Sequence, residues 1–115
     1  MKLLKSFGFA WAGIVTAIKE QKNLRIHLVA MLLVIVSAVY FQVEIWEWCA
    51  LMLCCALVLV TETINTAIEY LTNIASPQWQ ETAGKVKDIA AAAVLVSAFF
   101  SAVIAVLIFK KYIFL

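Results

Sequence analysis

Residues 48–73 run WCALMLCCALVLVTETINTAIEYLTN. Every side chain from Trp48 to Val60 is apolar or a thiol, and beyond Glu62 the uncharged run continues to Ile68 with Ile64, Ala67 and Ile68 among polar residues. Hydrocarbon is crossed by about 20 helical residues, so this stretch predicts a transmembrane helix over 48–70. The helix is expected to run on to Ser76 and Pro77, where proline removes a backbone donor and restricts the residue before it.

Two other runs have the same character. Residues 26–43 carry no formal charge apart from the protonation state of His27, and residues 89–109 carry none at all, so each predicts a further span. Ahead of them, within residues 1–22, Leu3, Phe7, Trp11, Ile14 and Ile18 recur at spacings of three or four, with Lys2, Lys5 and Lys19 among them. That periodicity predicts an amphipathic helix lying in the headgroup plane. The turn between the first two spans holds Glu44, Trp46, Glu47 and Trp48, acids and indoles suited to the membrane interface, and residues 77–88 form a polar connector to the last span. The expected fold is an all-α membrane protein, one domain over residues 1–115, with a surface helix and three transmembrane helices.

Composition supports this class and removes others. Of 115 residues, 66% are hydrophobic and 14% charged, whereas a soluble domain carries about a quarter charged residues. The chain is too short for a catalytic domain built on a parallel sheet. Gly8, Gly13 and Gly84 are too scattered to form a phosphate-cradling loop. A net charge of +2 with no basic groove argues against nucleic acid as a partner. Cys49, Cys54 and Cys55 lie in one apolar run without metal-ligand spacing, which suits packing. Lys2, Lys5, Lys19, Lys22 and Arg25 precede the first span, and Lys85 and Lys87 lie in the second connector, which predicts a cytoplasmic N-terminus. Lys110 and Lys111 at the far end oppose that bias but are outnumbered.

The chemistry lies in the second half of the quoted stretch. At about 100° per residue, Glu62, Asn65, Glu69 and Asn73 fall within an arc of about 80° on one helix face. Glu62 sits about 10 Å deeper than Glu69. An acid at that depth costs up to roughly 3 kcal/mol, so it calls for a partner or a function. A carboxylate drawn out of water suits proton abstraction, while one nearer water, Glu69, suits a hard divalent cation. Lys87 offers a positive charge at the same membrane face, with Asp88 a further carboxylate. Base, metal ligand and ammonium together point to phosphoryl transfer.

The run ETINTAIEYLTN, followed after a short connector by GKVKDIAAAAVLVSA, closely resembles the prokaryotic diacylglycerol kinase family. That family is marked by an E-x-hydrophobic-N-[ST]-A-hydrophobic-E helix and a Lys-Asp pair near the last span. The resemblance extends to the N-terminal helix with its Trp11 and Gly13 pair. It implies a bacterial plasma-membrane lipid kinase that uses ATP and Mg2+, works as a homotrimer with active sites shared between subunits, and phosphorylates diacylglycerol or undecaprenol. On this chain it makes Glu62 the general base and Glu69 a metal ligand, with Asn65 orienting groups between them. Lys87 and Asp88 become the nucleotide-contacting pair, and Gln78, Trp79 and Gln80 lie over the nucleotide. The small chain agrees with oligomerisation, since three spans can hardly enclose both ATP and a lipid head.

The chain departs from the family pattern at three positions. Gln21, preceded by Glu20, stands where the family offers a second metal-binding Glu, and an amide binds magnesium more weakly than a carboxylate. Asn73 stands where the signature commonly ends in Asp, and Lys2 where some members have Arg. The run Asn23-Leu24-Arg25-Ile26-His27 looks more like the undecaprenol branch, while the polar stripe suits either lipid. Taken alone, Glu62 also allows a small proton-coupled transporter; that reading leaves Glu69, Lys87 and Asp88 without a role.

Overall fold

The computed structural model describes residues 1–114, and within them the chain is entirely helical apart from short turns. Its elements are α1 (Lys2–Glu20), α2 (Lys22–Phe41), α3 (Ile45–Ala75) and α4 (Glu81–Ile113). Three of these, α2, α3 and α4, are long and apolar enough to cross a membrane. Large apolar side chains such as Leu33, Leu53, Phe99 and Phe100 are exposed on them. In water such a surface would aggregate; in a bilayer it is the solvated face.

Helices α3 and α4 form the main packed pair, with α2 against α3 and α1 touching only lightly. The apolar core gathers at one end of the bundle, where Ala38, Val43, Leu51 and Ile108 pack with Phe41, Phe109 and Tyr112. The α3–α4 seam also carries polar bridges. The Thr61 and Ser97 hydroxyls lie 2.9 Å apart, and Ser101 Oγ donates to the Cys54 carbonyl at 3.3 Å. In a bilayer such contacts satisfy groups that lipid cannot.

The turns differ from expectation in two places. The first is shorter than the expected acidic and aromatic turn: α3 begins at Ile45, so Trp46, Glu47 and Trp48 are helical. A capping box explains this. The Glu44 side chain accepts from the backbone of Glu47, and Glu47 Oε1 accepts from the Glu44 amide at 2.9 Å, satisfying donors that an uncapped helix leaves free. The second connector covers Ser76 to Gln80 rather than residues 77–88, because α4 already begins at Glu81. Glu81 favours the helix dipole there, and the Thr-Ala-Gly-Lys-Val-Lys run contains nothing that must break a helix. Lys87 and Asp88 therefore lie within α4, more than a turn past its start. At 31 and 33 residues, α3 and α4 are each about 45 to 50 Å long, so they project well beyond a hydrocarbon layer of about 30 Å.

Helix α1 meets α2 at Gln21, whose extended backbone (φ −113°, ψ 108°) breaks the helix for one residue. Arg25 closes the break, its Nη1 donating to the carbonyls of Ile18 at 2.8 Å and Lys19 at 2.9 Å. These are carbonyls that a helix C-terminus leaves unpaired, and the positive charge suits the dipole. Only Ala17 of α1 is buried, and Phe7, Phe9 and Trp11 are exposed.

The end of the bundle that holds the core also holds a buried acid. Glu47 has no solvent exposure; it pairs with Lys111 Nζ at 2.8 Å and accepts from the Tyr112 hydroxyl. Lys111 thus joins the C-terminal turn of α4 to the first turn of α3 and also stacks over Trp46, 5.3 Å from the ring centroid. Removing one member of such a pair strands the other, whereas removing both charges does not. Lys111→Met is therefore expected to lower the thermal midpoint followed by circular dichroism in detergent. Adding Glu47→Gln to it should recover part of the loss; a double variant less stable than the single one contradicts this role.

Candidate active site

The polar stripe occupies the half of α3 that ends at Ala75. Along the whole helix one face is buried: Glu47, Leu51 and Val58 in the first half, then Glu62, Asn65, Thr66 and Thr72. Spacings of three, four and seven keep these residues on one side of a 3.6-residue helix. The face therefore changes from apolar packing to polar groups around Thr61 and Glu62, without a break in the helix.

Glu62 is 2% exposed. Its neighbour is His27 of α2, with Nε2 3.6 Å from Glu62 Oε2. The Thr66 hydroxyl bonds the Glu62 backbone carbonyl at 3.0 Å and leaves the carboxylate alone. One turn along, Asn65 donates through Nδ2 to Glu69 Oε1 at 3.4 Å, and its Oδ1 is buried without a hydrogen-bond partner. Glu69 is half-buried. The stripe thus brings together Glu62, Asn65 and Glu69 on one helix face, with Glu62 more deeply buried than Glu69.

Helix α4 supplies the cation. Lys87 Nζ donates to Asn73 Oδ1 at 2.6 Å across the short Ser76–Gln80 connector. Asn73 accepts the ammonium without neutralising it, so Lys87 is held in place with its charge intact. An Asp there would instead form an ion pair with it. Asp88 is exposed beside it, and Gln78, Trp79 and Gln80 are exposed on the connector. Ser76 Oγ donates to the Gln78 carbonyl at 2.9 Å, which stiffens the turn that presents them. Gln21 lies half-buried at the α1–α2 junction, and among the described residues no hydrogen bond joins its side chain to the stripe.

Among the described residues no three of His, Cys, Asp and Glu gather closely enough to form a metal cage. Magnesium does not need one, because it is usually bound through one or two carboxylates together with substrate phosphates and water. The half-buried Glu69 carboxylate and the unpartnered Asn65 Oδ1 on an adjacent turn are oxygen donors that fit this mode.

Sequence reasoning placed the stripe but gave no chemical role to His27. The only signal was its position near the start of the first span, and its contact with Glu62 depends on how α2 docks on α3. The pairing of Glu47 with Lys111 was equally hidden, since the residues are far apart in the chain.

The chain is similar to known proteins over most of its length. The family model described as prokaryotic diacylglycerol kinase matches residues 8–109. A diacylglycerol kinase of Synechocystis sp. is 39% identical over 97 residues, covering 84% of this chain and 55% of that protein. A diacylglycerol kinase of Escherichia coli is 30% identical over 96 residues, covering 84% of this chain and 79% of its own length. An undecaprenol kinase of Bacillus subtilis is 32% identical over 108 residues, or 94% and 88% of the two chains. This chain thus spans about half of the Synechocystis relative and most of the other two. The similarities favour a kinase over a proton-coupled transporter.

A buried acid kept for chemistry should not be needed for folding. Glu62→Gln is expected to leave the thermal midpoint unchanged or raise it, because an intramembrane carboxylate costs up to about 3 kcal/mol. A marked fall in the midpoint would instead make Glu62 a structural group.

Proposed function

We propose that this chain, which belongs to the prokaryotic diacylglycerol kinase family, transfers the γ-phosphate of ATP to the hydroxyl of a membrane lipid alcohol, diacylglycerol or undecaprenol. The observation that carries the reading is the graded stripe on α3. It sets a buried carboxylate at Glu62, an Asn65–Glu69 pair one to two turns nearer the helix end, and an uncancelled ammonium at Lys87 beside Asn73.

Each residue has a task set by its depth. A lipid hydroxyl sits at headgroup level with its chains in the core, where Glu62 can take its proton as the oxygen attacks the γ-phosphorus. Lys87 neutralises charge on the phosphates, and Asp88 with the exposed Gln78, Trp79 and Gln80 contacts the nucleotide from the connector. Glu69, supported by Asn65 and by Gln21 or its neighbour Glu20, would hold the magnesium that accompanies ATP, and that ion would supply charge neutralisation on the phosphates. Such a site accelerates transfer by positioning and electrostatics. The N-terminus lies on the cytoplasmic side with the stripe, where ATP is available, and the basic residues ahead of α2 favour that orientation. The exposed apolar residues of α1 rest in the headgroup plane, and neighbouring copies, arranged as a homotrimer, complete walls that one chain lacks.

The test is magnesium-dependent transfer of labelled γ-phosphate to diacylglycerol and to undecaprenol in parallel, with pure protein in mixed micelles. Activity on at least one lipid is expected, with Glu62→Gln lowering kcat by roughly 10²- to 10⁴-fold, the usual worth of a general base. Folded protein that phosphorylates neither lipid contradicts the reading. Gln21→Glu is expected to lower the magnesium concentration for half-maximal activity, since a carboxylate replaces an amide near a hard cation. An unchanged magnesium requirement would remove Gln21 from the metal site.

A further inference from the structure

Transfer from ATP to an alcohol forms an O–P bond, breaks the bond between the γ-phosphorus and the bridging oxygen, and leaves the hydroxyl proton on the base. That base is Glu62, whose side chain is 3% exposed, so the proton needs a way out before the next turnover. Among the described residues, His27 is the ionisable group within ion-pair reach of the Glu62 carboxylate, at 3.6 Å. Its own side chain is 23% exposed and lies within about one and a half turns of the start of α2 at Lys22, so it stands between the buried acid and the charged end of that helix.

Resting on the kinase reading, we propose that His27 is the proton relay that empties Glu62 after each transfer. In the tautomer protonated at Nδ1, His27 Nε2 presents a lone pair towards Glu62 Oε2. Once Glu62 carries the transferred proton, a closure of a few tenths of an ångström makes this an O–H to Nε2 hydrogen bond, and active-site contacts are commonly this long before substrate binds. The protonated carboxyl then passes its proton to Nε2, the imidazolium releases its Nδ1 proton to water, and exchange of the Nε2 proton for one on Nδ1, through water or by rotation of the ring, returns the starting tautomer. The inward side offers no such route. His27 stands at one end of a groove of about 310 Å³ between α2, α3 and α4 whose other lining is mainly aliphatic, including Ala30, Val34, Leu51 and Val58. Thr66 is turned to the backbone carbonyl, and Glu69 is engaged by Asn65. His27 acts through Glu62, so it is a positioning residue for the base and does not itself touch the lipid.

The chain has one histidine, so a single substitution removes every imidazole. Two variants separate the relay from simple pairing. His27→Gln keeps a hydrogen-bond donor for Glu62 but cannot carry a proton; His27→Ala leaves space for added imidazole. At saturating ATP and lipid, His27→Gln is expected to lower kcat by roughly tenfold or more, towards the range of proton-transfer effects, with both KM values within about twofold of wild type. Imidazole should restore His27→Ala, and a series of substituted imidazoles should rescue better as basicity rises. Wild-type kcat in His27→Gln overturns the relay, and so does a loss in His27→Ala that no imidazole repairs. Silence of the wild-type protein on both lipids fails the kinase reading itself, and the relay falls with it. Active wild type with an unimpaired His27→Gln fails the relay alone.

Discussion

Hydrocarbon offers no partner to a polar side chain, so every such group on α3 must be satisfied by a neighbouring helix, by its own backbone or by something it binds. The two buried acids of α3 meet this constraint in opposite ways. Glu47 is surrounded by Lys111, the Tyr112 hydroxyl and the Glu44 amide, all within the protein. Among the described residues Glu62 has one ionisable group within ion-pair reach, His27, at a distance just too long for a hydrogen bond. Glu47 is thus held by three groups of the fold, whereas among the described residues the Glu62 carboxylate accepts no hydrogen bond.

This difference follows the two ends of the bundle. At one end the aromatic and aliphatic core, the capping box and the Glu47–Lys111 pair lock α2, α3 and α4 together. At the other, the buried residues of α3 are polar: Glu62, Asn65, Thr66 and Thr72. Because α3 and α4 both overshoot the hydrocarbon, the connector between them lies beyond it, and its shortness brings Asn73 and Lys87 into contact although they are distant in sequence. The same end receives α1, held to α2 by Arg25, a residue that would otherwise count only as a cytoplasmic charge.

A site made in this way needs little scaffold. Phosphoryl transfer asks for a base, charge neutralisation and alignment, and a helix face supplies graded depth without a dedicated domain. The departures at Asn73 and Gln21 carry different weight. Asn73 holds Lys87 through an amide oxygen, a neutral acceptor where an Asp would make an ion pair, so the contact across the connector is kept without the acid. Gln21 sits at the helix break, where its backbone serves both α1 and α2, and its amide side chain brings less charge to a metal than a carboxylate would.

The sequence by itself determined that the chain is helical, that three segments can cross a membrane, and that Glu62, Asn65 and Glu69 share a face. These properties follow from apolar length and from a 3.6-residue period, which are local. Family membership was legible for the same reason, because the signature is a contiguous run on one helix. Where the helices begin was only partly legible: the polar residues from Glu81 to Asp88 look like a connector until α4 is seen to extend beyond the membrane, and Glu47 looks interfacial until Lys111 reaches it. The tertiary structure alone decided which groups meet across helices: His27 with Glu62, Lys87 with Asn73, Lys111 with Glu47 and Arg25 with the end of α1. Periodicity gives a side chain its direction around its own helix axis, but the rotation and register of one helix against the next come from packing.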